Sequence, residues 1–151
     1  MIEEIDVFSL VKNKLPLPYK EEVILAANKS SLRKISQGTY IEKQYKINEW
    51  YLLILSTDAF SEVICFYLLN KEFKEIDYAE IYSSYLDSPE LHAEKIKVLD
   101  GNKLCFEFLT VKPWVLTILQ KPMRKIIQGK TCYLHRPKTS LLGKVYINIT
   151  H

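Results

Sequence analysis

Two apolar runs constrain this chain more than any other feature. Residues 50–55 read Trp-Tyr-Leu-Leu-Ile-Leu and residues 63–69 read Val-Ile-Cys-Phe-Tyr-Leu-Leu. A bilayer-spanning helix needs about 20 residues, so neither run crosses a membrane as one. Their length suits buried strands, and residues 56–61 (Ser-Thr-Asp-Ala-Phe-Ser) supply a polar connection. The pair predicts a hairpin with well-buried strands. A helix starting near Ser56 is the competing reading, because short apolar runs fit either element. The hydrophobic fraction of 48% over 151 residues supplies a sizeable core and predicts one domain, residues 1–151. Few Gly and Pro and mixed charge argue against disorder.

Helical spacing dominates the flanks. Ile5, Phe8, Val11 and Leu15 predict a helix over 3–15, ended by Pro16 and Pro18. A second helix is expected over 19–35. Glu21 and Glu22 suit its start, Arg33 and Lys34 its end, and Gly38 follows as a stop. Residues 40–47 read as a modest strand. The clearest helix is predicted over 77–86, where Tyr78, Ile81, Tyr82, Tyr85 and Leu86 share one face and Asp77 with Glu80 resembles a capping box. Ser88-Pro89-Glu90 reads as a further helix start.

Later segments carry strand signals. Asp100-Gly101 predicts a tight turn between residues 95–99 and 104–108. Residues 114–119 form a buried run between Pro113 and Pro122. At the C-terminus Val145, Ile147 and Ile149 alternate with Tyr146, Asn148 and Thr150, the pattern of a half-exposed strand at a sheet edge. The sum predicts an α+β fold, N-terminal helices first, with three or four helices and a largely antiparallel sheet of about six strands.

Charge is segregated along the chain. All 18 acidic residues lie within 1–107, beside 13 of the 21 Lys and Arg. Residues 108–151 carry the other eight, Lys112, Lys121, Arg124, Lys125, Lys130, Arg136, Lys138 and Lys144, and no acid. The densest part runs from Lys121 through Arg124, Lys125 and Lys130 to Arg136 and Lys138, with Tyr133 and Trp114 nearby. Cations with interleaved aromatics suit single-stranded nucleic acid, by pairing phosphates and stacking bases. The same cations suit an acidic protein surface. The bland alternative is a solvated face balanced in space by the acidic part of the chain.

Catalytic and metal signals are weak. Among His92, His135 and His151, only His135 lies in a basic setting suited to acid–base work on a phosphate, with Glu107 as a conceivable partner. A surface histidine is the bland reading. Asp58, Glu72 and Lys74 are similar in order to the carboxylate and lysine set of metal-dependent nucleases, but sit in a composition typical of solvated strand ends. Gly129-Lys130-Thr131 resembles the end of a Walker A loop, yet Arg124 stands where that loop needs its first glycine. Cys65, Cys105 and Cys132 have neither disulfide nor zinc-knuckle spacing and read as reduced thiols. No motif implies a metal or cofactor. Ten tyrosines suit half-buried packing or a protein interface.

The expectation is a non-enzymatic protein-binding inhibitor of the immunity or antitoxin type, with a protein partner such as a toxin. The alternative is a nucleic-acid-binding protein or small ribonuclease using the basic C-terminal segment. Without a basic, apolar leader the expected setting is the bacterial cytoplasm, with no membrane partner.

Overall fold

A computed structural model describes residues 1–13, 22–28, 30–35, 38–57, 63–82, 95–108, 113–124, 134–135 and 144–150. Within them the chain forms thirteen strands and no α-helix. The first eight are β1 (Ile2–Glu4), β2 (Phe8–Asn13), β3 (Glu22–Ala27), β4 (Ser30–Lys34), β5 (Tyr40–Ile47), β6 (Trp50–Ser56), β7 (Val63–Leu69) and β8 (Glu75–Tyr82). The others are β9 (Lys97–Val98), β10 (Lys103–Phe106), β11 (Trp114–Arg124), β12 (Leu134–His135) and β13 (Lys144–Thr150). The α+β expectation is therefore overturned. Three sheets form, in the orders β1-β5-β6-β7-β8-β12, β13-β11-β10-β9 and β2-β3-β4, and every pair is antiparallel.

The six-stranded sheet lies between the other two. One face presents Ile54, Ile64, Phe66 and Ile81 to Leu104, Phe106, Leu116 and Ile147 of the four-stranded sheet. The other presents Leu53, Leu55, Tyr67 and Tyr78 to Phe8, Val23 and Leu25 of the three-stranded sheet. The predicted β6–β7 hairpin forms, with Leu53 opposite Tyr67 and Ile54 opposite Phe66. Its strands are apolar at successive positions because both their faces are covered. Each fully buried Leu, Ile or Phe contributes about 1.5–3 kcal/mol of hydrophobic stabilisation.

The same double coverage explains the misread helices. In β8, Tyr78 turns toward the three-stranded sheet and Ala79 and Ile81 toward the four-stranded one. Apolar residues at both parities erase the period of two and imitate helical spacing. The helix expected over 77–86 is strand β8 through Tyr82; its remainder, like Ser88–Glu90, lies outside the described residues. The helix expected over 3–15 is replaced by β1 and β2, and that over 19–35 by the β3–β4 hairpin. In β2, Phe8 is buried while Val11 is exposed, so their helical spacing does not mark one face.

Two polar side chains tie the layers together. Gln44 on β5 accepts from the backbone N–H groups of Val7 and Phe8 at 2.9 and 2.8 Å and donates to the Phe8 carbonyl at 2.9 Å. It fixes the chain where it leaves β1 for β2. Asp77, read from sequence as a helix cap, instead joins two sheets. Its Oδ2 accepts from the N–H groups of Tyr146 and Ile147 on β13, both at 2.7 Å, and its Oδ1 from that of Tyr78 at 2.8 Å.

The later strand readings match the structure more closely. The Asp100-Gly101 turn joins β9 and β10, with Gly101 at φ +68°. β13 is an edge strand of its sheet and buries Val145, Ile147 and Ile149.

Candidate binding surface

Charge separates by sheet as well as by sequence. Strands β9, β10, β11 and β13 carry Lys97, Lys103, Lys121, Arg124 and Lys144 and no Asp or Glu. The strands of the other two sheets carry seven acidic residues against five basic ones. The cations of the four-stranded sheet therefore have no carboxylate among their own strand neighbours.

Strand alternation builds this surface. The inward positions of β10, β11 and β13 supply Leu104, Phe106, Trp114, Leu116, Ile147 and Ile149 to the core. The opposite parity leaves Cys105, Val115, Thr117 and Asn148 half-buried at the centre of the outer face. Register sets Cys105 opposite Val115 and Lys97, and Thr117 opposite Lys103 and Asn148. Lys97, Lys103, Lys121 and Lys144 are exposed on these strands. Register places Lys97 and Lys103 on this low face of small side chains, whereas Lys121 lies within the register shift of β11 and Lys144 pairs beyond it.

Aromatic rings are not offered to a ligand here. Trp114, read both as the start of a buried run and as an aromatic near the basic segment, is 3% exposed and donates its indole Nε1–H to the Phe108 carbonyl at 2.7 Å. Tyr146 meets Trp50 edge-on, with ring centroids 5.3 Å apart. Among the described residues no open aromatic ring lies on this face. Stacking, which supplies much of single-strand affinity, has no platform there.

Only part of the predicted basic segment can be located. Lys121 is exposed on β11, and Arg124 ends that strand opposite Lys144. Lys125, Lys130, Tyr133, Arg136 and Lys138 lie outside the described residues, as does the Gly129–Thr131 segment. Lys97 and Lys103 were missed because the basic region was drawn from the acid-free end of the chain, whereas the sheet begins earlier, at the Asp-Gly hairpin. The signal was present, since both lysines flank a recognised turn.

The proposed His135–Glu107 pair is split between sheets. His135 lies in β12 on the six-stranded sheet, in register with Glu80. Glu107 follows β10 and forms an exposed ion pair with Lys95 at 3.4 Å. Of the nuclease-like set, Glu72 and Lys74 are exposed in the β7–β8 turn, where Asn70 Oδ1 accepts from both their backbone N–H groups, and Asp58 lies outside the described residues. Among the described residues no group of three or more His, Cys, Asp or Glu side chains could hold a metal ion. Nor is any helix there long and apolar enough to cross a membrane.

A separate polar group lies between the six- and three-stranded sheets. Tyr78 donates its hydroxyl proton to Glu80 Oε2 at 2.5 Å, and the same hydroxyl lies 3.5 Å from Cys65 Sγ. Burial pushes the Cys65 thiol up to about 12, against a smaller lowering by its bond to Tyr78. Burial likewise raises Tyr78, helped by its Cys65 and Glu80 neighbours. Both groups are held neutral, so Cys65 is a packed thiol rather than a nucleophile. Cys105 is half-buried, and Cys132 lies outside the described residues.

No protein-family model matches the chain, and no curated protein or solved structure matches it.

Proposed function

We propose that the protein is a non-enzymatic binding protein that neutralises an acidic protein partner by occlusion, in the manner of immunity proteins and antitoxins. The observation that carries this reading is the four-stranded sheet with five basic residues and no acidic one on its strands. Such a surface steers an acidic partner and disfavours a basic one. A partner of ordinary size would bury about 800 Å² on each side. The low, half-buried centre of Cys105, Val115, Thr117 and Asn148 offers area without protrusions.

Nucleic acid is the second reading, because phosphates pair with the same lysines. The burial of Trp114 and the packing of Tyr146 on Trp50 favour protein, since neither ring is available to stack a base.

The test is affinity capture with the full chain, carried out with and without nuclease. It is repeated with a variant carrying Lys97→Glu, Lys103→Glu, Lys121→Glu and Lys144→Glu together. A control carries Lys71→Glu and Lys74→Glu in the exposed β7–β8 turn. The expected result is one stoichiometric protein that survives nuclease, is lost with the four-site variant and is retained by the control. Retention by the four-site variant overturns the reading. So does a nuclease-sensitive eluate whose affinity falls steeply with salt.

A further inference from the structure

The two edges of the four-stranded sheet are finished differently. At β13 the central sheet closes the edge, because Asp77 Oδ2 takes the backbone N–H groups of Tyr146 and Ile147. β9, at the other end of the strand order, has a single strand partner, β10, among the described residues. Val98 pairs with Leu104, and Leu104 belongs to the core at 0% exposure, yet Val98 is 47% exposed. Leu99, next in sequence, is 43% exposed. The layer that covers Leu104 thus stops short of Val98.

We infer that β9 accepts an extended acidic segment of a partner protein, which joins the four-stranded sheet as an added strand. The inference rests on the acidic-partner reading above and names where the partner attaches. The Leu99 N–H bonds the Lys103 carbonyl at 2.9 Å, so by antiparallel alternation Val98 turns its N–H and C=O away from β10, and a strand laid there gains main-chain hydrogen bonds. Alternate side chains of that strand would cover Val98 on the inward side and meet Lys97 on the outward side. Lysine on an edge deters pairing with a second copy of the same strand, because like charges would lie opposite each other. A carboxylate in the added strand turns that repulsion into attraction. The chemistry therefore selects an alternating sequence of acidic and apolar residues.

The probe is a short peptide alternating Glu and Val. Its affinity for the full chain is read by fluorescence anisotropy and its position by amide hydrogen exchange. A second peptide has the same sequence with alternate backbone amides N-methylated. The expected result is slowed exchange at Val98, unchanged exchange in β13, and loss of binding on methylation. Lys97→Glu should weaken the unmodified peptide about tenfold through charge reversal opposite a carboxylate. Val98→Ser should weaken it about fivefold by removing apolar contact.

Equal binding of the methylated peptide, protection at another edge, or no binding of the peptide overturns strand addition. Binding of phosphatidylserine vesicles or a single-stranded oligonucleotide in place of the peptide does the same. If the four-lysine variant loses a captured protein while Val98 shows no protection, the acidic-partner reading stands and the strand-addition inference falls.

Discussion

The two faces of the six-stranded sheet are packed with different chemistry. Toward the four-stranded sheet the contact is carried mainly by Leu, Ile and Phe, with Tyr45 and Trp114 among them, and Phe66 and Phe106 stand 5.5 Å apart between ring centroids. Its principal polar contribution is Asp77, which caps backbone donors of β13. Toward the three-stranded sheet the contact includes titratable groups, Tyr67, Tyr78 and Cys65, with Tyr67 and Tyr78 4.6 Å apart. One interface depends on close packing, one carboxylate and one buried phenol, Tyr45. The other depends also on hydroxyl and thiol groups staying protonated. Their responses to truncation and to pH should therefore differ.

The sharpest probe is Phe66→Ala. Its side chain is fully buried against the four-stranded sheet, and the variant should lose about 4 kcal/mol by cavity formation, read by chemical denaturation. A loss below about 1 kcal/mol would mean that this interface is not close-packed. Asp77→Ala is the next largest. It removes the acceptor of three backbone N–H groups and should cost about 3 kcal/mol, with faster amide exchange at Tyr146 and Ile147 than elsewhere in β13. Uniform exchange across β13 would show that Asp77 does not join the two sheets.

Gly38→Ala tests the opposite interface without touching its titratable groups. Gly38 has φ +97°, and a Cβ there would stand 2.8 Å from Leu55 Cβ. The expected loss is about 2 kcal/mol. Alkaline pH gives the smallest effect and discriminates best. The Cys65 thiol is raised from 9.0 to about 12 in the folded chain. The folded state thus holds a proton that the unfolded state releases, and stability falls as pH rises through that window. Tyr78 shifts in the same direction. Tyr45 is also raised, from 10.0 to about 12, chiefly by burial and then by Glu4. Cys65→Ala should flatten the stability profile above about pH 9, where the unfolded thiol begins to ionise, whereas Phe66→Ala should shift the whole profile downward with its shape intact. Equal profile shapes for the two variants would erase the proposed difference between the faces.

The elements legible in the sequence are those whose local signal survives packing. Residues 50–55 and 63–69 are apolar at every position, which suits a strand covered on both faces, and the hairpin forms as expected. Asp100-Gly101 names its own turn through the positive φ it requires. β13 keeps its alternation because only one of its faces is buried. β8 failed for the converse reason. Apolar groups on both its faces, including Ile76, Tyr78, Ala79 and Ile81, left no period of two to detect. Of the candidate surface, Lys121, Arg124 and Lys144 were recognised as basic, while Lys97 and Lys103 came in only through strand pairing, which sets them beside β11 or its neighbour. Trp114 was legible as the start of a buried run, and its burial removes the stacking role that its place near the basic segment also suggested.

The amino-acid sequence by itself determined the central hairpin, the Asp-Gly turn, the C-terminal strand and the acid-free composition of residues 108–151. These depend on chain-local properties, namely burial propensity, backbone φ and side-chain charge. Tertiary structure alone decided that β8 is a strand, that Asp77 caps another sheet and that β9 ends with Val98 exposed. Each of these depends on which layer lies opposite a given residue, and that is set by contacts between segments far apart along the chain.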